Sequence, residues 1–134
     1  MTLVIDPSRN GLEKVLRDYQ IEAMKLIWDH DRDGMTSREV YDATNIKLGG
    51  GKSVSRASII NFLNAMCDEG VLDYEEETCK GGIRRKYKKG LDEKGFKKFI
   101  VSEVLTSMMN DFPNETIAAI KETLDTNALK RLAD

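Results

Sequence analysis

The sequence predicts a mostly α fold with one small antiparallel β-hairpin, and three observations carry that expectation. Stretches with apolar residues three and four positions apart recur along the 134-residue chain, several of them opened by a capping residue. One helical stretch, ending at Gly70, runs straight into residues 71–78, a Lys80-Gly81-containing turn at 79–82, and a return strand at 83–88. Two more amphipathic stretches follow the hairpin. A helix with a polar outer face, joined directly to a hairpin, is the arrangement of a winged helix-turn-helix. The expected organisation is therefore a winged helix-turn-helix domain over 1–90 and a helical dimerisation region over 91–134.

Taken in order, residues 1–11 form either a short strand around Leu3, Val4 and Ile5 or an irregular lead, and Asp6, Pro7 and Ser8 carry turn chemistry. The first helix ends at Asp29 and starts at Gly11 or at Asp18, since Leu12, Val15 and Leu16 could form a separate turn. Ile21, Met24, Leu26, Ile27 and Trp28 give it a wide apolar face. A loop at 30–34 precedes a capping box in which Thr36 accepts from the third helical amide and Glu39 reaches back to the Thr36 amide. The helix so opened runs to about Thr44 and packs through Val40, with Tyr41 and Ala43 beside it.

A connector at 45–52 contains Gly49, Gly50 and Gly51. It is not a phosphate-binding P-loop, because no strand precedes it and Gly51, Lys52 and Ser53 lack the upstream glycine at the required distance. Ser55, or alternatively Ser53, caps the next helix. Ile59, Phe62, Leu63 and Met66 fall on one face and point to a core. Arg56, Ala57, Ser58, Ile60, Asn61, Asn64 and Asp68 lie on or flank the other face, and Gly70 stops the helix in the left-handed conformation. On the return strand, alternation puts Arg84 and Lys86 on one face and Arg85 and Tyr87 on the other.

The last two helices begin at Asp92 and near Glu115, separated by a break at Phe112, Pro113 and Asn114. Phe96, Phe99, Ile100, Val104 and Met108 form the apolar stripe of the first, with Leu105 nearby. Ile117, Ile120, Leu124 and Leu129 form that of the second. A single winged domain has little apolar surface left to cover these stripes, so they are expected to pair with a second copy of the chain rather than fold back.

Composition narrows the function classes. The net charge is −2, yet between Lys80 and Lys89 stand Lys80, Arg84, Arg85, Lys86, Lys88 and Lys89 with no acid among them. Phosphate affinity follows the local field rather than the total. Glu75, Glu76 and Glu77 on the outgoing strand could pair with part of that charge. One histidine, His30, and two cysteines, Cys67 and Cys79, provide neither a metal-ligand spacing nor a nucleophile-and-base constellation. No cofactor and no enzymatic activity are expected. Cys67 reads as a small buried hydrophobe or solvated thiol, with a two-cysteine switch as the alternative. No apolar run approaches the roughly 20 residues of a membrane span, and the start lacks a signal-peptide pattern, so the expected location is the cytoplasm.

Five segments, QIEAMKLIW at 20–28, TSREVY at 36–41, SRASIINFL at 55–63, EGVL at 69–72 and GIRRKY at 82–87, resemble in order and spacing the penicillinase-repressor and methicillin-resistance-repressor family of winged-helix regulators. The likeness extends over about 16–112. It implies a homodimer that binds a palindromic operator in double-stranded DNA and represses transcription. By position, it implies a recognition helix over 55–64 and a wing over 80–87. The chain has no match to the cleavage site of the antibiotic-linked members. It also lacks a C-terminal cysteine cluster like that of the copper-responsive relatives, having no cysteine after Cys79.

The expected function is thus sequence-specific DNA binding by a dimeric regulator, a repressor in preference to an activator. Ser55, Arg56, Ala57, Ser58, Asn61 and Asn64 are the candidate recognition-helix residues, with base-edge or nearby backbone contacts expected from Arg56, Ser58, Asn61 and Asn64. Arginine pairs in two places with guanine, and asparagine with adenine. Lys80, Arg84, Arg85 and Lys86 are the candidate wing residues for phosphate. A winged helix that binds protein inside a transcription or replication assembly is the competing class, favoured by the acidic total and by the run at 75–77.

Overall fold

In the computed structural model, residues 3–30 and 33–133 are described, the side chains of 128, 129, 132 and 133 excepted. The expected apolar position Leu129 and two residues of the 30–34 loop, Asp31 and Arg32, lie outside that description. The chain divides into two compact units, Met1–Phe96 and Lys97–Asp134.

In the first unit a 3-10 turn at Gly11–Lys14 precedes α1 (Asp18–Asp29), so Asp18 is the start of the helix and Leu12 to Leu16 form a separate turn. There is no strand at residues 3–5. Asp6 organises this lead through its carboxylate, which accepts from the Ser8 amide at 3.0 Å and the Ser8 hydroxyl at 2.6 Å. Next come β1 (Met35–Thr36), α2 (Ser37–Leu48), α3 (Arg56–Asp68), β2 (Leu72–Cys79) and β3 (Gly82–Lys89). The sheet order is β1-β3-β2, antiparallel throughout.

Two-residue β1 has no counterpart in the sequence pattern, and α2 runs one turn beyond the expected Thr44. Both differences are tertiary. Met35 pairs with Tyr87 and Thr36 with Lys86, contacts too short and too distant in sequence to leave a pattern. Gly34 makes them possible. It sits at φ +79°, and a Cβ there would lie 2.8 Å from the Tyr87 carbonyl oxygen. Thr36 is at once a strand residue and the N-cap of α2. Its hydroxyl accepts from the Glu39 amide at 3.2 Å, and the Glu39 carboxylate accepts from the Thr36 amide at 3.0 Å. That bond from the Thr36 amide holds the Glu39 carboxyl below its usual range. The extra turn of α2 brings Asn45 to the connector, where its side chain accepts from the Val54 amide at 2.8 Å and donates to the Val54 carbonyl at 3.3 Å. The triple-glycine segment is thereby closed into a loop.

The core holds most of the residues that helical spacing selected, and Ala23 besides, while Ile21, Leu26, Tyr41 and Ala43 are half-buried. Ala23, Met24 and Ile27 of α1, Val40 of α2, and Ile59, Phe62, Leu63 and Met66 of α3 are buried together with Val71, Leu72 and Tyr87. Tyr19 meets Phe62 edge-on at 6.3 Å. α4 (Glu93–Asp111) is opened by Asp92, whose carboxylate accepts from the Gly95 amide at 2.7 Å. Phe96, assigned from the sequence to the dimerisation stripe, instead lies in this core at 0% exposure, with its ring 5.7 Å from that of Trp28. The Trp28 indole N–H donates to the Leu91 carbonyl at 3.0 Å. The first turn of α4 therefore completes the winged-helix unit.

The second unit contains the rest of α4 and α5 (Pro113–Ala133). Pro113 opens α5, where its missing N–H costs nothing. Thr116 is buried there, its hydroxyl bonded to the Phe112 carbonyl at 2.7 Å.

The Phe96 packing sets a boundary that can be measured. A fragment ending at Gly90 lacks both partners of Trp28 and should be less stable than one ending at Lys98 by about 3–5 kcal/mol, the usual cost of deleting a buried Phe side chain. Urea unfolding followed by the emission of Trp28, the one tryptophan in the chain, gives the comparison; equal midpoints would remove Phe96 from the core.

Candidate nucleic-acid interface

α3 is split cleanly between an inner and an outer face. Ser55 caps it, its hydroxyl accepting from the Ser58 amide at 3.1 Å and donating to the Ser58 hydroxyl at 2.9 Å. With Ile59, Phe62, Leu63 and Met66 turned inward, Arg56, Ala57 and Asn61 are left exposed, and Ser58 and Ile60 are half-buried beside them. The expected outward set of Ser55, Arg56, Ala57, Ser58 and Asn61 thus lies on the N-terminal two turns of the helix.

Asn64 is placed differently from its expected outward role. It is half-buried, and its side-chain carbonyl accepts from Tyr87 Oη at 2.6 Å and from Arg85 Nη1 at 3.0 Å. Arg85, expected on phosphate, has its guanidinium 3.9 Å from the centroid of the Tyr74 ring. Burial pushes the Tyr87 phenol pKa up, in keeping with a protonated hydroxyl that donates to Asn64. The signal for this was present in the alternation, which put Arg85 on the same face as Tyr87. A tyrosine that enters the core carries that face of the strand toward the helices.

Arg84, Lys86 and Lys88 stand on the opposite face. β2 and β3 pair Glu77 with Arg84, Glu75 with Lys86 and Asp73 with Lys88 across the ladder. Arg84 Nε lies 2.5 Å from the Glu77 carboxylate and Lys88 Nζ 2.7 Å from that of Glu75. The acidic strand therefore neutralises part of the basic strand within the hairpin. Exposed pairs of this kind are worth about 0–1 kcal/mol, little enough for a phosphate to replace the carboxylate. Lys80 is exposed in the two-residue turn between the partners Cys79 and Gly82.

The sequence profile of the penicillinase repressor family matches residues 16–134. The chain belongs to the penicillinase repressor family. No curated protein matched the chain. The family match begins where the core begins, at Leu16, and covers both units. It makes the chain one of a family of DNA-binding transcriptional repressors, which is a family of regulators rather than of enzymes. Among the described residues no group of His, Cys, Asp and Glu could hold a metal ion, and no helix is long and apolar enough to cross a membrane.

In this repressor-family chain Cys67 is half-buried on α3, and burial pushes its thiol up to about 11. The thiolate is the reactive form, so Cys67 is a poor redox sensor at neutral pH. The folded value lies above the ordinary 9.0, so the folded protein keeps this thiol protonated across pH 9–11 while the unfolded chain loses the proton. In a Cys79→Ser variant, alkylation of native Cys67 at pH 8 should run about a hundredfold slower than in denaturant and keep accelerating through pH 10. A rate that levels off near pH 9 would contradict it.

Proposed function

We propose that the chain is a transcriptional repressor that binds a palindromic operator as a homodimer, in the cytoplasm, with α3 in the major groove and the β2–β3 hairpin along the flanking backbone. One observation carries this reading. The N-terminal half of α3 turns Arg56, Ala57 and Asn61 to solvent while the helix is anchored by four buried apolar side chains, and the cationic hairpin follows at once. Arg56, Ser58 and Asn61 have the donors and acceptors that read base edges. Arg84 and Lys86, with Lys80 at the tip, are the phosphate contacts, and Ser55, the cap of α3, lies where the helix start approaches the backbone.

The dimer is supported by the second unit. Val101, Leu105, Met108, Phe112, Ile117 and Leu124 are all exposed. An apolar groove of about 640 Å³ runs between the two helices, lined by several of these together with Ile120 and Ala119. Phe99, Ile100 and Val104, which the sequence also placed on the dimer stripe, are half-buried. A surface of this composition is unstable in water unless a partner covers it. Symmetric pairing with a second copy covers this surface, and a palindromic operator read by two α3 helices has its half-sites roughly 34 Å apart, one turn of duplex.

Two measurements test the reading. Asn61→Ala should weaken binding to the best selected duplex by about 1–3 kcal/mol and leave random duplex nearly unchanged. Arg84→Ala combined with Lys86→Ala should instead weaken both, and reduce the slope of log affinity against log salt by about two. If the unaltered chain binds duplex without a salt dependence, the protein-binding alternative takes over. For the dimer, Leu105→Glu places a charge in the groove and should convert a sedimenting dimer to monomer at micromolar concentration. A full chain that is already monomeric there sinks the palindrome model.

A further inference from the structure

The wing and the recognition helix are joined by a specific polar clasp. β1 supports the central strand only at Lys86 and Tyr87. From Arg85 outward to the tip the wing is a two-stranded ribbon, and such ribbons are marginally stable and twist readily. The place where the third strand ends is where Asn64 intervenes. One side-chain carbonyl, on the third turn of α3, accepts from Tyr87 at 2.6 Å and from Arg85 at 3.0 Å. Arg85 is sandwiched in place by the Tyr74 ring on β2, 3.9 Å away, so both strands of the wing are held. Tyr87 is buried, and Asn64, Tyr74 and Arg85 are half-buried. If Asn64 turned its carbonyl out toward a base, the Tyr87 hydroxyl and the Arg85 guanidinium would lose their shared acceptor.

We propose that Asn64 and Arg85, with Tyr74 and Tyr87, are positioning residues that fix the angle of the wing against α3, so that Arg84 and Lys86 meet phosphate only while the clasp is closed. This rests on the DNA-binding reading above and adds to it a division of labour. Asn61 reads bases, Arg84 and Lys86 hold phosphate, and Asn64 and Arg85 touch neither. The clasp lies in an environment shielded from water on one side, where a hydrogen bond to a charged group is stronger than at an exposed site.

The test uses the full chain and duplex DNA of random and of selected sequence, titrated at several salt concentrations. Asn64→Leu keeps the branched shape and removes the acceptor. It should lower affinity for both duplexes by about tenfold and reduce the salt slope by about two, although no phosphate-binding cation has been altered. In the background of Arg84→Ala with Lys86→Ala, the same change should cost less than about twofold, because the contacts it positions are already gone. Asn64→Asp restores the acceptor for both donors without the amide N–H₂ that adenine recognition requires, and should restore the wild-type slope. Tyr87→Phe, which leaves the ring in the core, should repeat the Asn64→Leu slope change in milder form and guards against misfolding of the first variant. A loss confined to the selected duplex, with Asn64→Asp as damaging as Asn64→Leu, would make Asn64 a base reader and overturn the clasp. An unchanged slope with a lowered melting temperature would overturn it too, reducing these contacts to ordinary stability. If the unaltered chain binds no duplex at all, the DNA-binding reading falls first and the clasp's role with it.

Discussion

Thr36 is the residue on which the rest of the first unit hangs. Its backbone pairs with Lys86 in the central strand, and its side chain caps α2 in a reciprocal bond with Glu39. Because one residue serves both roles, the start of α2 and the root of the wing cannot move independently. Gly34 is the steric condition for this, since a side chain there would collide with the Tyr87 carbonyl. From that junction the order of the domain follows. α2 ends at a connector clamped by Asn45, the connector delivers α3, and α3 runs through Gly70 into the hairpin that returns to Thr36.

The hairpin shows how a run of charge in a sequence differs from a field at a surface. Six cations within ten residues become a two-sided strand once folded. One side gives Arg85 to the helix and Tyr87 to the core; the other faces an acidic strand that pairs with Arg84 and Lys88. Exposed pairs of this kind are weak and exchangeable, so the acids reduce the net field of the strand without locking its cations.

The two units illustrate opposite solutions to burying apolar surface. The first encloses most of its large side chains, leaving Val4, Ile46 and Ile83 outside, and includes Phe96 from the start of α4 in its core. The second, with two helices alone, leaves long apolar side chains at the surface, because two helices offer each other one stripe and have no third element to cover the remainder.

Periodicity and capping chemistry, both local, were enough to place the bodies of α1, α2 and α3, the stop at Gly70, here at φ +78°, and the hairpin to within a residue, while the start of α1 and the α3 cap, Ser55 or Ser53, stayed open. The family likeness was legible for the same reason, since it is carried by the order of those local segments. What only the tertiary structure decided were relations between residues far apart in sequence. β1 rests on pairing across some fifty residues, α2 gains its last turn from the Val54 contact, and Phe96 is claimed by Trp28. Asn64 and Arg85 were each plausible DNA contacts by residue type and by face. Their engagement with one another depends on a helix and a strand meeting at hydrogen-bond distance, and no one-dimensional pattern encodes that distance.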